Sequence, residues 1–292
     1  MTDQHSTPVG TQPVDEPPKK SSRAGRNLPA AIAVGAALGG MLVVTLLFAP
    51  KVWVPIVSVA IAIATVEVGR RLREGGFAIP LVPLLVGGQA MIWLTWPFGA
   101  AGALGAFGGT VVVCMIWRLV SGGLSTAPQN YLRDTAVTVF LAAWVPLFAS
   151  FGVLLIYPDD GAGRVFCLML GVVASDVGGY AAGVLFGKHP MAPAISPKKS
   201  WEGLAGSLVL GVAVSALAVE YLTDKPWWVG VPLGLMLVIT GTLGDLVESQ
   251  VKRDLGIKDM GTLLPGHGGL MDRLDSVLPS AVATWIVLSL LA

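Results

Sequence analysis

Between Gly244 and Ser276 the chain reads GDLVESQVKRDLGIKDMGTLLPGHGGLMDRLDS, acids and bases interleaved in a sequence that is only 13% charged. If the preceding apolar helix continues past Gly244, then Asp245, Glu248 and Lys252 share one face, because they lie three and four residues apart. Asp272 and Asp275 are likewise three apart at the head of the next apolar segment, so their carboxylates project to one side. Asp245, Asp272 and Asp275 are therefore expected to converge on one point. Carboxylate oxygens without thiolate or imidazole partners suit a hard divalent cation, and Mg²⁺ combines one or two carboxylates with waters and substrate phosphates. Lys252, Arg253, Lys258 and Arg273 offer donors for phosphate oxygens, joined by Lys198 and Lys199 of a second loop, AISPKKSWEG, Ala194 to Gly203. Together these are the parts of a phosphoryl-transfer site. The glycines of PGHGG let backbone N–H groups approach an anion where a helix begins, although by themselves they would mark only a turn.

The elements that must position these groups are apolar segments of spanning length, recurring from Leu28 to the last residue in a chain of 292 residues, 54% of them hydrophobic. The fold class is all-α, a polytopic integral membrane protein. Nine spans are expected, at about residues 28–49, 52–68, 77–93, 98–118, 135–156, 164–187, 203–222, 228–244 and 270–291. Residues 1–27 carry almost nothing to bury and read as a disordered tail. The apolar run behind them is long for a secretory signal and is expected to remain as the first span. With the N-terminus inside, sixteen of the nineteen Lys and Arg fall on the inner side and only Lys51, Arg164 and Lys225 outside. That asymmetry predicts N-terminus in and C-terminus out. The organisation expected is a cytoplasmic tail (1–27), an N-terminal transmembrane region (28–134) and a C-terminal catalytic transmembrane region (135–292). Arg70, Arg71 and Arg73 in GRRLREGG suit insertion topology alone and are assigned no chemistry.

Asp176 lies near the middle of the sixth span, where an ionised aspartate costs roughly 3 kcal/mol or more. It must face the bundle interior, as part of a functional pocket or as a structural hydrogen-bond acceptor. It shares a stripe with Gly179, Tyr180 and Gly183, and Gly179, Gly183 and Gly187 have the spacing that lets helix backbones approach closely. Cys114 and Cys167 sit in apolar stretches without partners for a metal site and read as small buried hydrophobes.

The run from Ser249 to Ser276 closely resembles the C-terminal signature of the phosphatidate cytidylyltransferases, or CDP-diacylglycerol synthases: Ser249, Lys252-Arg253, Lys258-Asp259, His267-Gly268-Gly269 and Asp272-Arg273-Leu274-Asp275. AISPKKSWEG and SDVGGYAAGVLFGK also resemble segments of that family, so the likeness covers about residues 170–280 in fixed order. It implies the Mg²⁺-dependent reaction of CTP with phosphatidate to give CDP-diacylglycerol and pyrophosphate, at the inner face of the cell membrane. It further implies metal ligation by Asp245, Asp272 and Asp275 with help from Asp176, and phosphate binding by Lys198, Lys199, Lys252 and Arg253. Ser196, Ser200 and Glu202 would order the first loop, and Asp259, His267, Gly268, Gly269 and Arg273 would line the site. The two-cation centre described in that family implies a second cation such as K⁺. The partners expected are CTP, phosphatidate, membrane lipids and a second copy of the chain in a homodimer, with no nucleic acid. A CTP-dependent lipid or prenol kinase is the competing enzyme, and a cation-coupled transporter would instead string acids across several spans. The D-x-x-D-G-x-x-A-R run of the CDP-alcohol phosphotransferases is absent, since Asp275 precedes Ser276 and Val277.

Overall fold

The computed structural model describes residues 39–263 and 268–291; the expected tail, the start of the first span and His267 lie outside the described residues. The chain is built from α1 (Gly39–Phe48), α2 (Trp53–Glu74), α3 (Leu81–Trp93), α4 (Thr95–Val120), α5 (Tyr131–Ala142) and α6 (Phe148–Leu154), followed by α7 (Gly161–Phe186), α8 (Trp201–Leu222), α9 (Trp227–Asp254), α10 (Met271–Leu274) and α11 (Val277–Leu290). Among the described residues seven helical stretches are long and apolar enough to cross a membrane, and α1 and α3 are shorter apolar helices. A mostly helical membrane protein is what the apolar runs required, since only intrahelical bonding satisfies the backbone in lipid.

The helix ends depart from the expected limits for local reasons. A π-helical turn at Ala143–Leu147 joins α5 to α6 around Pro146, which has no N–H to give the regular ladder. In α4 the backbone leaves the helical region at Gly99, φ 57°, so the helix kinks there. The segment expected as a plain loop after α7 contains an antiparallel hairpin, β1 (Pro190–Ala192) against β2 (Ser196–Ser200). The span expected to end at residue 244 is longer: the helix continues past Gly244, so the condition for Asp245, Glu248 and Lys252 to share a face is met, and α9 ends only at Asp254.

Two apolar clusters form the interior. One joins α2, α3, α4 and the α5–α6 stretch, and takes in Met260 and Met271 from beside the signature loop. The other joins α7, α8, α9 and α11 with Leu46 of α1. Some polar groups within the apolar layers bond between helices: the Trp53 indole N–H donates to the Gly152 carbonyl at 3.1 Å, and Ser207 Oγ donates to the Ser175 carbonyl at 2.7 Å. The α7–α8 contact is close because Gly178 meets Gly206. A Cβ on either would lie 2.5 Å from the other's carbonyl oxygen. Where α4 ends and α5 begins, buried Asp134 pairs with Arg118 at 2.9 Å and Arg133 at 3.1 Å. Arg133 also donates to the Gly76 carbonyl, so the ends of α2, α4 and α5 meet on one side of the bundle. The functional groups gather on that same side.

Candidate active site

The floor of the site is the last turns of α9. Asp245, Glu248, Ser249 and Lys252 follow one another along a face, as their spacing requires. Gly244 decides how near the next helix comes, since a Cβ there would stand 2.3 Å from the Asp275 carbonyl. That approach sets the Asp275 side chain against α9. Asp245, Glu248 and Asp275 each present a carboxylate oxygen within 4.8 Å of the others.

Cations border this group on two sides. Lys199 Nζ pairs with Asp245 at 2.6 Å, while Ser249 Oγ donates to the other Asp245 oxygen at 3.2 Å. Lys252 Nζ bridges Glu248 at 2.6 Å and Asp272 at 3.0 Å. Glu248 is 0% exposed, yet among the described residues its Oε1 has no hydrogen-bond donor and faces the Asp275 carboxylate. A buried carboxylate oxygen left bare beside two other carboxylates is costly unless a cation completes it. The donor set is all oxygen, so a hard divalent ion such as Mg²⁺ fits these residues.

Asp272, expected as the third aspartate of the cluster, stands on the other side of Lys252. Its carboxylate accepts the N–H of Met260 at 3.0 Å and that of Gly269 at 2.8 Å. The anion that the Gly269 amide meets is thus the chain's own Asp272. Gly268, φ +87°, makes the turn that allows this. Asp259 and Arg273 line the cleft with Asp176, Asp245, Glu248, Lys252, Asp272 and Asp275.

A second cavity adjoins the first and shares Asp176 and Asp245 with it. Its walls are α7, the hairpin, the start of α8 and Gly241, Thr242 and Asp245 of α9. Lys198 and Lys199 reach it from β2, Ser175, Gly179 and Ser207 from the α7–α8 seam, and Tyr180, Met191 and Leu204 give it apolar surface. Ser200 caps α8, its Oγ accepting the Gly203 N–H at 3.1 Å. Glu202 accepts the backbone N–H groups of Lys188 and His189, each at 3.2 Å, and contacts the His189 ring at 2.6 Å, so it folds the hairpin onto the helix. Arg253 Nε donates to the Ile195 carbonyl in the hairpin turn, tying α9 to it. Ser196 opens β2 and pairs in register with Ala192, and is not among the described residues that line either cavity.

The spacing of Glu248 from Asp245 and Lys252 put it on the right face, but sequence reasoning did not place it in the metal group. Glu67 of α2, whose Oε2 accepts the Met271 N–H at 3.0 Å, was missed altogether. No sequence signal links residues 204 positions apart.

Fold and site define a class: a polytopic helical membrane protein with a carboxylate and cation cleft at one end of the bundle, suited to phosphate groups. The chain belongs to the cytidylyltransferase family, whose model matches residues 29–291. It is 64% identical over 285 residues to a Mycobacterium bovis protein named phosphatidate cytidylyltransferase, covering 94% of this chain and 93% of that one. A Mycobacterium leprae protein of the same name is 65% identical over 94% of this chain and 91% of its own. A Helicobacter pylori protein, again so named, is 36% identical over 60% of this chain and 65% of its own. The chain is accordingly a nucleotidyltransferase.

Proposed function

We propose that the chain transfers the cytidylyl group of CTP to phosphatidate. A phosphatidate oxygen bonds to the α-phosphorus of CTP, the bond from that phosphorus to the β-phosphate oxygen breaks, and pyrophosphate leaves. The observation that carries this reading is the pair of adjoining cavities that meet at Asp176 and Asp245. One is bordered by hairpin lysines and apolar side chains, and suits a lipid phosphate. The other is lined, among the described residues, by six carboxylates with Lys252, Arg273 and Ser276, and suits the phosphates of a nucleotide carried with its metal ion. Two anions must be brought together, so positioning and charge neutralisation are the main tasks.

Asp245, Glu248 and Asp275 would hold Mg²⁺, with Asp272 holding Lys252 in place beside them rather than ligating the ion, and Asp176 close to a second cation such as K⁺. When bound, Mg²⁺ supplies charge neutralisation of the triphosphate and the leaving pyrophosphate. Lys198 and Lys199 would hold the lipid phosphate, and Lys252 and Arg273 the nucleotide phosphates. Arg253, Ser196, Ser200 and Glu202 would keep the hairpin in place, and Asp259, Gly268 and Gly269 would shape the cleft.

The proposal places the chain in the inner membrane, with nine spans, the N-terminus and the site in the cytoplasm, and two copies per assembly. Twelve of the fifteen Lys and Arg among the described residues lie at the site end, which supports that orientation. Purified protein given CTP, phosphatidate and Mg²⁺ is expected to release pyrophosphate and form a liponucleotide. Release of CDP with a phosphorylated lipid would mean γ-phosphoryl transfer and would overturn the reading.

A further inference from the structure

The family signature lies in the second half of the chain, yet the backbone beside its Asp272 is held from the first half. Glu67 and Arg71 lie one turn apart on α2, and among the described residues they do not pair with each other. Both reach across to the loop behind α9. Glu67 Oε2 accepts the N–H of Met271, the first residue of α10, at 3.0 Å. Arg71 Nε donates to the carbonyl of Met260 at 3.0 Å, and its Nη1 pairs with Glu74 at 2.8 Å.

The two loop segments close over the Glu67 carboxylate with no room for side chains. A Cβ on Gly261 would lie 2.3 Å from Glu67 Oε1, and one on Gly269 would lie 2.8 Å from Oε2 and 2.6 Å from the Gly261 nitrogen. Met260 and Met271 are buried in the same apolar cluster as Val68 and Leu72 of α2. From there the contacts run onward. Met260 and Gly269 give their N–H groups to Asp272, and Asp272 meets Lys252, which meets Glu248.

We infer that Glu67 and Arg71 are positioning residues for nucleotidyl transfer, fixing Met260–Gly261 and Gly269–Met271 and through them Asp272 and Lys252. This role rests on the proposed cytidylyl transfer, and neither Glu67 nor Arg71 is among the described residues that line the two cavities. Glu67 fixes the loop as a hydrogen-bond acceptor, a task that a glutamine carbonyl can take over, whereas alanine cannot.

The test compares Glu67→Ala, Glu67→Gln and Arg71→Ala with the wild type as full-length protein in detergent. Amide hydrogen exchange is read without divalent cation or substrate, and kinetics are normalised to folded protein. Glu67→Ala is expected to speed exchange at Met260, Gly269 and Met271 about tenfold or more while α7 and α8 keep wild-type protection. Its kcat/KM for CTP falls about tenfold or more, and the KM for phosphatidate stays within about twofold. Glu67→Gln returns both measures to within about threefold of wild type, and Arg71→Ala follows Glu67→Ala at Met260. Unchanged exchange at those amides, or a lowered thermal midpoint with wild-type kinetics per folded molecule, would overturn the inference. So would a Glu67→Gln variant as impaired as Glu67→Ala. A wild type that releases no pyrophosphate would instead overturn the proposed function, and the exchange result would stand apart from it.

Discussion

Lys252 holds together two carboxylates that would otherwise face each other across the cleft, Glu248 at 2.6 Å and Asp272 at 3.0 Å. Removing one partner of a mostly buried group of this kind leaves uncompensated charge, at a cost of about 3 kcal/mol. Lys252→Met is therefore expected to lower both the thermal midpoint and liponucleotide formation, seen by thermal unfolding in detergent and by pyrophosphate release. The carboxylates that converge on the far side call for a different outcome. Asp245→Asn and Asp275→Asn keep size and shape but remove the charge that a divalent ion needs, so turnover should fall to background while the protein still inserts and purifies. Near wild-type turnover of either variant at saturating Mg²⁺ would remove it from the metal group. Arg70 gives a contrast: it is exposed at the end of α2, and Arg70→Ala should leave turnover within about twofold of wild type. Its neighbour Arg71 has the same charge and was read from sequence in the same way, but donates to Met260. The difference between them is a matter of helix face, which charge placement relative to the membrane does not express.

Helices bring these side chains within reach only where their backbones approach closely. Gly244 lies against the Asp275 carbonyl, and any Cβ there must push α11 away from α9, moving Asp275 from Asp245 and Glu248. Gly244→Ala is expected to lower the thermal midpoint and to reduce turnover at least tenfold. Gly105→Ala in α4, where an added Cβ meets nothing within 4 Å, should leave turnover unchanged. Much at this scale was legible in the sequence. The three- and four-residue steps of Asp245, Glu248 and Lys252 showed which side chains share a face once α9 runs past residue 244, where the expected span stopped, and the four-residue steps of Gly179 and Gly183 marked the face that meets α8 at Ser207, Ser200 and Gly203. The hairpin was not legible, because SPKKS has no alternation of apolar and polar residues and its pairing is to a three-residue strand. Nor was the position of Asp272, which is set by the amides of Met260 and Gly269, groups that every sequence carries alike.

For the molecule as a whole, the distribution of charge and the direction of the helices point the same way. Arg70, Arg71 and Arg73 end α2, Arg118 ends α4, Arg133 begins α5, and the hairpin lysines lie between α7 and α8, all at the end that holds the carboxylates. Lys51, Arg164 and Lys225 lie at the opposite ends of their helices, before α2, early in α7 and between α8 and α9. Positive residues near span ends are retained on the inner side during insertion, so the end with twelve of the fifteen among the described residues should be cytoplasmic. The consequence can be measured without activity. Cys114 and Cys167 are buried, so a cysteine introduced at exposed Lys258 or at Lys225 supplies the reactive thiol. In intact cells or sealed right-side-out vesicles, a membrane-impermeant thiol reagent should label Lys225→Cys and leave Lys258→Cys untouched until the membrane is opened. The reverse pattern would turn the site end outward, away from cytoplasmic CTP. Orientation and substrate would then be in conflict, and the proposed reaction would fail with the topology.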